Sequence, residues 1–374
     1  MAIYQNGPGR PGRRLAGPLS AMAAALVAGA GLTTFNPGVA GATAPINGET
    51  TYMFVANYGG SVALYRLPFT GDAPLETIAG TKTGLANPNA VAVNTARDLF
   101  VTNWDSSHPG TNAVLEFAPG ANGNVSPIAT IEGANTGLDD PHALAIDSSG
   151  DIWVFNFGGT VTEYPPGSKG NVTPIYSINL WGPAYPCTQV SGQPQSIAVD
   201  PAGDLWVDCG TMVLEYAPRA TNAADPKAVI TGPGTGLEQG SNPPDYWGYV
   251  GGFALDGSGD VFVANQVGPD GASPTVPSIT EYPPGSNGDV APETTISGPA
   301  TDLPGSPGGL GWDNGNLYLA GWGSQAVYEY AAGATGDTGP IATLSGAATG
   351  LSSPVALAFV TIRSGEYCPG GCEA

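Results

Sequence analysis

The stretch from Leu138 to Ile178 constrains this chain more than any other. Three apolar runs, Ala143–Ile146, Ile152–Phe155 and Val161–Tyr164, are split by Gly-rich turns, and a fourth follows at Ile175–Ile178. Four short strands punctuated in this way make one antiparallel sheet. The unit recurs. The piece Pro-x-Ala/Gly-φ-Ala/Gly-φ, with φ apolar, stands at Pro88–Val93, Pro141–Ile146, Pro307–Trp312 and Pro354–Phe359, with a looser copy at Pro194–Val199 and a remnant at Phe253–Leu255. Asp/Asn-x-x-Gly-Asp/Asn turns follow at Asp147–Asp151, Asp200–Asp204 and Asp256–Asp260. A strand then ends in Asn at Asn57, Asn103, Asn156 and Asn265, and a Glu-aromatic pair closes the next strand at Glu116, Glu163, Glu215, Glu281 and Glu329. Successive pairs lie roughly 50 to 65 residues apart, the period of a four-stranded propeller blade with its loops.

The two ends of the pattern are complementary. Tyr52–Asn57 is a second strand with no first strand before it, and Pro354–Phe359 is a first strand with no second strand after it. Pairing them completes a sheet and removes an exposed edge from the ring. The predicted fold is all-β: a six-bladed β-propeller closed by its N- and C-terminal strands in one blade. Blade two spans about Gly84–Gly133, blade three is the stretch described above, blade four ends near Gly232, and blade six runs from about Asp302 to Gly346.

Residues 1–42 carry Arg10, Arg13 and Arg14, an Ala/Gly/Leu-rich run from Leu15 to Leu32, and Ala40-Gly41-Ala42 as a cleavage site. This reads as a signal peptide for export. Pro18 and the many small residues make the run weakly apolar for a transmembrane anchor. The propeller is then expected over residues 43–362, with a tail at 363–374, placing the protein in the secreted or cell-envelope exterior compartment as a monomer with no membrane span after cleavage. Beyond residue 42 only seven basic residues face 31 acidic ones. Phosphate would be repelled along most of such a surface, so a nucleic-acid partner is excluded as a reading.

Long connections cluster in two classes, blade-to-blade and second-to-third strand, which emerge together around the mouth of the axial channel. They are Asn103–Ala113 with His108, Asn179–Gln193 with Trp181, Tyr185 and Cys187, Leu237–Gly251 with Tyr246, Trp247 and Tyr249, and Gln266–Ser278. Variable loops on a fixed scaffold are where binding commonly resides. In an exported protein four cysteines invite pairing. Cys187 and Cys209 fall on the same face, and closing that loop of about 22 residues contributes on the order of 3 kcal/mol in the chain-entropy view. Cys368 and Cys372 would close a small ring in the tail, two thiols being too few for structural zinc.

The repeat resembles the NHL-repeat class of six-bladed propellers, and the unit Pro141–Val154 is similar to the repeats of streptogramin lyases; gluconolactonase and calcium-dependent lactonase propellers are more distant relatives in architecture. The resemblance implies an active mouth only if its residues are present. The residue after each Pro, Asn89, His142 or Gln195, is expected near the top of the innermost strand. The second strands end nearby at Asn57, Asn103, Asn156, Asp208 and Asn265. Such a ring could hold a hard cation, Ca or Mg, although one carboxylate is thin for the role and the Asn residues could equally fasten loop backbone. His142 and His108 are the candidate general bases, whereas streptogramin lyases use more than one blade-top His with a divalent cation. The repeated Glu is expected to face solvent or to satisfy strand-end donors. No Gly-x-Ser-x-Gly, His-Glu-x-x-His or phosphate loop is present. The sequence therefore supports a binding or interaction module for a protein, glycan or small-molecule ligand on the loop-rich face. A metal-assisted lyase or lactonase at the channel mouth is the alternative, and a structural envelope component the third reading.

Overall fold

The structure is a computed structural model that describes residues 49–104, 112–180, 196–222, 224–237, 250–266 and 276–363. Residues 1–48, the tail from residue 364 and the greater part of the long connections lie outside them. Six four-stranded antiparallel sheets follow one another as blades. Blade one contains β1 (Glu49–Asn57), β2 (Ser61–Leu67) and β3 (Glu76–Ala79). Blade two is β4 (Asn87–Val93), β5 (Leu99–Trp104), β6 (Ala113–Phe117) and β7 (Ala129–Glu132); blade three is β8 (Pro141–Ile146), β9 (Ile152–Asn156), β10 (Thr160–Tyr164) and β11 (Tyr176–Asn179). Blade four is β12 (Ile197–Val199), β13 (Leu205–Asp208), β14 (Val213–Tyr216) and β15 (Ala228–Ile230). Blade five is β16 (Val250–Leu255), β17 (Val261–Asn265), β18 (Ser278–Tyr282) and β19 (Thr294–Ile296). Blade six is β20 (Pro307–Asp313), β21 (Asn316–Gly321), β22 (Ala326–Tyr330) and β23 (Ala342–Leu344). The last strand, β24 (Pro354–Arg363), returns to blade one.

The ring closes as the two incomplete patterns require. β24 pairs antiparallel with β1 from Glu49↔Arg363 to Asn57↔Pro354. The first strands of the blades, β24, β4, β8, β12, β16 and β20, neighbour one another around the axis. Cores form between blades. Phe100, Val114 and Ile131 of blade two meet Leu144, Val154 and Tyr164 of blade three in one buried cluster, and the other five joints repeat the arrangement. A blade buries its faces only against its neighbours, so the ring has to be complete to be stable.

The Glu-aromatic pairs show which half carries the packing. Phe117, Tyr164, Tyr216, Tyr282 and Tyr330 are fully buried. Tyr164 Oη donates to the carbonyl of Thr136 at 2.6 Å, Tyr282 to Thr235 at 2.7 Å, Tyr330 to Thr301 at 2.9 Å, and Tyr65 of blade one to Thr349 at 2.6 Å. Each threonine lies in a Gly-x-x-Thr-Gly/Asp-Leu connection, with its hydroxyl donating to the carbonyl of the glycine three residues earlier. A buried phenol thus fastens the loop that enters its own blade. Two of the glutamates depart from expectation: Glu163 and Glu329 are buried, Glu163 against the Arg219 guanidinium and Glu329 accepting from Asn316 Nδ2 and Tyr318 Oη, whereas Glu116, Glu215 and Glu281 are partly exposed.

Loops between the third and fourth strands also fasten neighbours. Gly123, Gly170, Gly288 and Gly336 form parallel bridges to Ile78, Ile131, Ile230 and Ile296, on the outer strand of the preceding blade. The next side chain completes the grip: Asn124 accepts from Lys82 N, Asn171 from Asn135 N, Asp289 from Gly234 N and Asp337 from Ala300 N, at 2.6 to 2.7 Å. These clasps cover edge strands that would otherwise present open backbone groups.

Candidate functional site

The mouth is built at the starts of the innermost strands. Register shifts fall between Pro88 and Ala90 and between Pro141 and Ala143, so Asn89 and His142 are the extra residues of β-bulges. A bulge breaks the alternation of a strand and turns one side chain out of it. Asn89 Nδ2 reaches the carbonyl of Pro141 at 3.4 Å, which ties blade two to blade three. His142 Nδ1 lies 3.1 Å from the Asp140 carbonyl and 3.5 Å from Asp140 Oδ1. The two side chains are 13% and 20% exposed, mostly buried yet reachable. Burial raises the Asp140 carboxyl, with His142 opposing the rise.

The opposite side of the mouth is made of backbone. A Cβ on Gly308 would lie 2.9 Å from the Pro354 carbonyl oxygen, and one on Gly251 would lie 2.4 Å from Pro307 Cγ. At these two positions the room for a side chain is taken by Pro307 and by the backbone of β24. Among the described residues, the polar side chains that follow the first-strand prolines are Asn89 of blade two and His142 of blade three.

The Asn ring has a defined job. Asn57 Oδ1 accepts from Ser352 N at 3.0 Å, Asn103 Oδ1 from Ala86 N at 2.7 Å, Asn156 Oδ1 from Asp139 N at 3.0 Å, and Asp208 Oδ1 from Ser196 N at 3.0 Å. Each fixes the connection entering its blade, which accounts for the residue type at these positions. Asn265 Oδ1 is buried with no hydrogen-bond partner among the described residues; the matching connection, 238–249, lies outside them. Another acidic group, Asp200, Asp204 and Glu215, has ligand atoms within 4.8 Å of one another. Its centre is taken by the Lys227 ammonium, which bonds Asp204 and sits 2.6 Å from Glu215 Oε1.

The residue that follows Asn57, Asn103, Asn156 and their counterparts Asp208, Asn265 and Gly321 is a feature that the sequence reading passed over. It is Trp322 in blade six, Tyr58 in blade one, Trp104 in blade two and Phe157 in blade three, giving way to Cys209 and Gln266 in blades four and five. Aromatic residues thus occupy one position on four consecutive blades. Trp322 is 45% exposed and the other three are partly exposed. The Phe157 and His142 rings are 5.6 Å apart, and Tyr58 is raised by burial and by the charge of Asp140. The signal was legible as Asn-Tyr, Asn-Trp and Asn-Phe at 57–58, 103–104 and 156–157.

Of the other expected residues, Cys209 is buried and is not a free thiol. Cys187, Cys368 and Cys372 lie outside the described residues, as do His108, Trp181, Tyr185, Gln195, Tyr246, Trp247 and Tyr249. No helix among the described residues is long and apolar enough to cross a membrane.

Known proteins agree with this geometry at the level of fold. A protein of unknown function from Bacteroides caccae superposes with a TM-score of 0.55 at 12% identity, covering 83% of this chain and 99% of its own. A chain of a nidogen/laminin complex gives 0.51 at 10% identity over 83% and 98%. A candidate 6-phosphogluconolactonase from Bacteroides fragilis gives 0.50 at 15% identity over 83% and 98%. The fold is that of a six-bladed propeller. No family model matches the chain, and no curated protein matches it in sequence. The NHL-like character therefore rests on the repeat residues alone.

Proposed function

We propose that this chain is an exported, NHL-like propeller that binds a glycan or a similarly ringed small ligand across its loop-rich face. The reading is carried by one observation: the same blade position is aromatic on blades six, one, two and three, and the arc ends beside Asn89 and the Asp140–His142 pair. Flat rings with amide, imidazole and carboxylate groups at their edge suit sugars, which have apolar faces and polar rims. The connections bearing Trp181, Tyr185, Tyr246, Trp247 and Tyr249 would extend the same surface. Its acidic surface disfavours anionic partners. A Cys187–Cys209 bridge would brace the blade-four side, where the arc stops.

The test is a titration of the full mature chain with a panel of soluble oligosaccharides, followed by tryptophan emission and calorimetry. For any sugar that binds, Trp322→Ala and Trp104→Ala should each weaken affinity by about 2 kcal/mol, roughly 30-fold. Affinity unchanged in both variants overturns the arc as the site. Turnover of a bound sugar that disappears in His142→Ala, with folding intact, would convert the binding module into a lyase-type or hydrolytic enzyme of the mouth.

A further inference from the structure

Every second-to-third-strand pairing from blade two to blade six sets the strand-three Glu opposite an aromatic residue: Phe100, Trp153, Trp206, Phe262 and Tyr318 face Glu116, Glu163, Glu215, Glu281 and Glu329. In blades three, four and five the Asp-x-x-Gly-Asp turn brings two more carboxylates beside that Glu, at the end of the blade away from the mouth. Blades three and four neutralise the cluster from within the chain. Buried Glu163 is met by the guanidinium of Arg219, which comes from blade four's turn after Tyr216. Asp204 and Glu215 are met by the Lys227 ammonium, at the start of the fourth strand.

Blade five has the carboxylates and neither cation. The residue matching Lys227 is Glu293; their backbone N–H groups donate to the matching carbonyls of Glu215 and Glu281. The residue matching Arg219, three after the buried Tyr, is Gly333 of blade six. Both residues take positive φ, 50° at Arg219 and 69° at Gly333, so the turn is shared and the side chain alone is missing. In its place is a cleft of about 60 Å³, lined by Asp256 and Glu281 on one side and by Gly333 and Trp312 on the other. The matching space between blades two and three, where Gly167 holds the turn position, has no room for a water molecule. Trp312 widens the blade-five cleft into a slot with a flat wall, its ring stacked on Phe262 at 4.8 Å and 15°. The crowding of like charge is felt: Asp260 is pushed up to about 6, first by burial and then by Asp256, Glu281 and Glu293.

We propose that the cleft between blades five and six is a receptor for a guanidinium group supplied from outside the chain, held by Glu281 and Asp256 and laid against Trp312. The occupant is what blade three already displays. A planar cation forms charge-assisted bonds to carboxylate and stacks on an indole face, which a spherical cation does less well. The donor is an arginine side chain of a partner protein or a small arginine-like molecule, and the two share the same contacts. The site is remote from the aromatic arc, so either reading can fail alone.

The test uses the full mature chain and agmatine, with a capped Gly-Gly-Arg-Gly-Gly peptide as the protein-like arm, read by tryptophan emission and calorimetry. Agmatine should bind saturably with one site, and Glu281→Gln should weaken it about tenfold or more, as loss of a charge-assisted bond requires. Gly333→Arg should abolish binding, since a Cβ at that position meets nothing within 4 Å and Arg219 takes the same turn conformation in blade four. Arg219→Gly should add a second agmatine site over Glu163. A peptide that binds at least tenfold more tightly than agmatine identifies a protein donor, and equal affinity identifies a free ligand. No saturable binding in the parent chain overturns the proposal, as does parental affinity in both Glu281→Gln and Gly333→Arg.

Discussion

Four joints between blades carry a loop of the following blade laid along the outer strand of the preceding one; the joint between blades six and one carries none among the described residues. The joint between blades three and four keeps a reduced form, in which Asn222 accepts from Asn179 N at 2.9 Å. The β2–β3 connection of blade one, residues 68–75, forms no such bridge. What blade one has instead is length. β1 and β24 are nine and ten residues long and pair along almost all of it, whereas the remaining strands have three to seven. Strands already linked by a short loop need few ladder bonds, because closing them costs little chain entropy. Strands from opposite ends of the chain must offset a far larger closure cost with their own pairing.

That contrast can be broken outright by removing β24. A chain ending at residue 350 should lose its cooperative melt and aggregate, since β1 becomes an open, apolar edge; a truncated protein as soluble and heat-resistant as the parent would show that the ladder is dispensable. A finer cut compares phenols. Tyr65→Phe strips the hydrogen bond from the buried Thr349 carbonyl at the joint without a clasp, and should cost about 2 kcal/mol in urea unfolding. Tyr164→Phe makes the same cut where Asn171 still grips the neighbour, and should cost less. Equal losses would mean that the clasps add nothing to the joint. The clasp alone is probed by Asn171→Ala, which removes one exposed hydrogen bond and should cost about 1 kcal/mol.

A further expected effect is one of pH. Burial, partly opposed by Arg219, raises Glu163 from its ordinary 4.5 to about 7. A carboxyl raised in the folded state binds its proton more tightly there than in the unfolded chain. Its contribution is therefore full below about 4.5 and is lost as pH rises through about 7. Asp260 and Asp313, each pushed up to about 6, act in the same direction. The melting temperature should fall across that window, and Glu163→Gln should flatten part of the slope. A slope unaltered in Glu163→Gln would remove the buried carboxylate from the account.

Strand-level features were legible because period-two burial writes itself into composition. The Pro-x-Ala-φ runs, the Asp-x-x-Gly-Asp turns and the complementary ends located all six sheets and the β1–β24 pairing. Groups whose role depends on a neighbouring blade were not legible in the same way. Glu163 reads as a solvent-facing strand residue until Arg219, 56 residues away, is placed over it. Gly-x-x-Thr-Gly-Leu reads as turn chemistry until the tyrosine beneath it is seen. Asn89 and His142 were placed at the strand tops by counting, but the bulges that turn them out of the ladder are matters of register. The aromatic arc was written in plain view and missed because it becomes one feature only when blade six is set beside blade one.

The glycine contacts around β16, β20 and β24 have a consequence for anything that enters the mouth. Six equivalent blades would offer a visitor six equivalent ways to sit. The close approaches at Gly251 and Gly308 leave two of those seats without a side chain, and the bulged Asn89 and His142 furnish two of the rest. A rotationally repetitive scaffold thereby acquires a single azimuth, and a ligand of the mouth has one orientation that its polar groups favour over the other five.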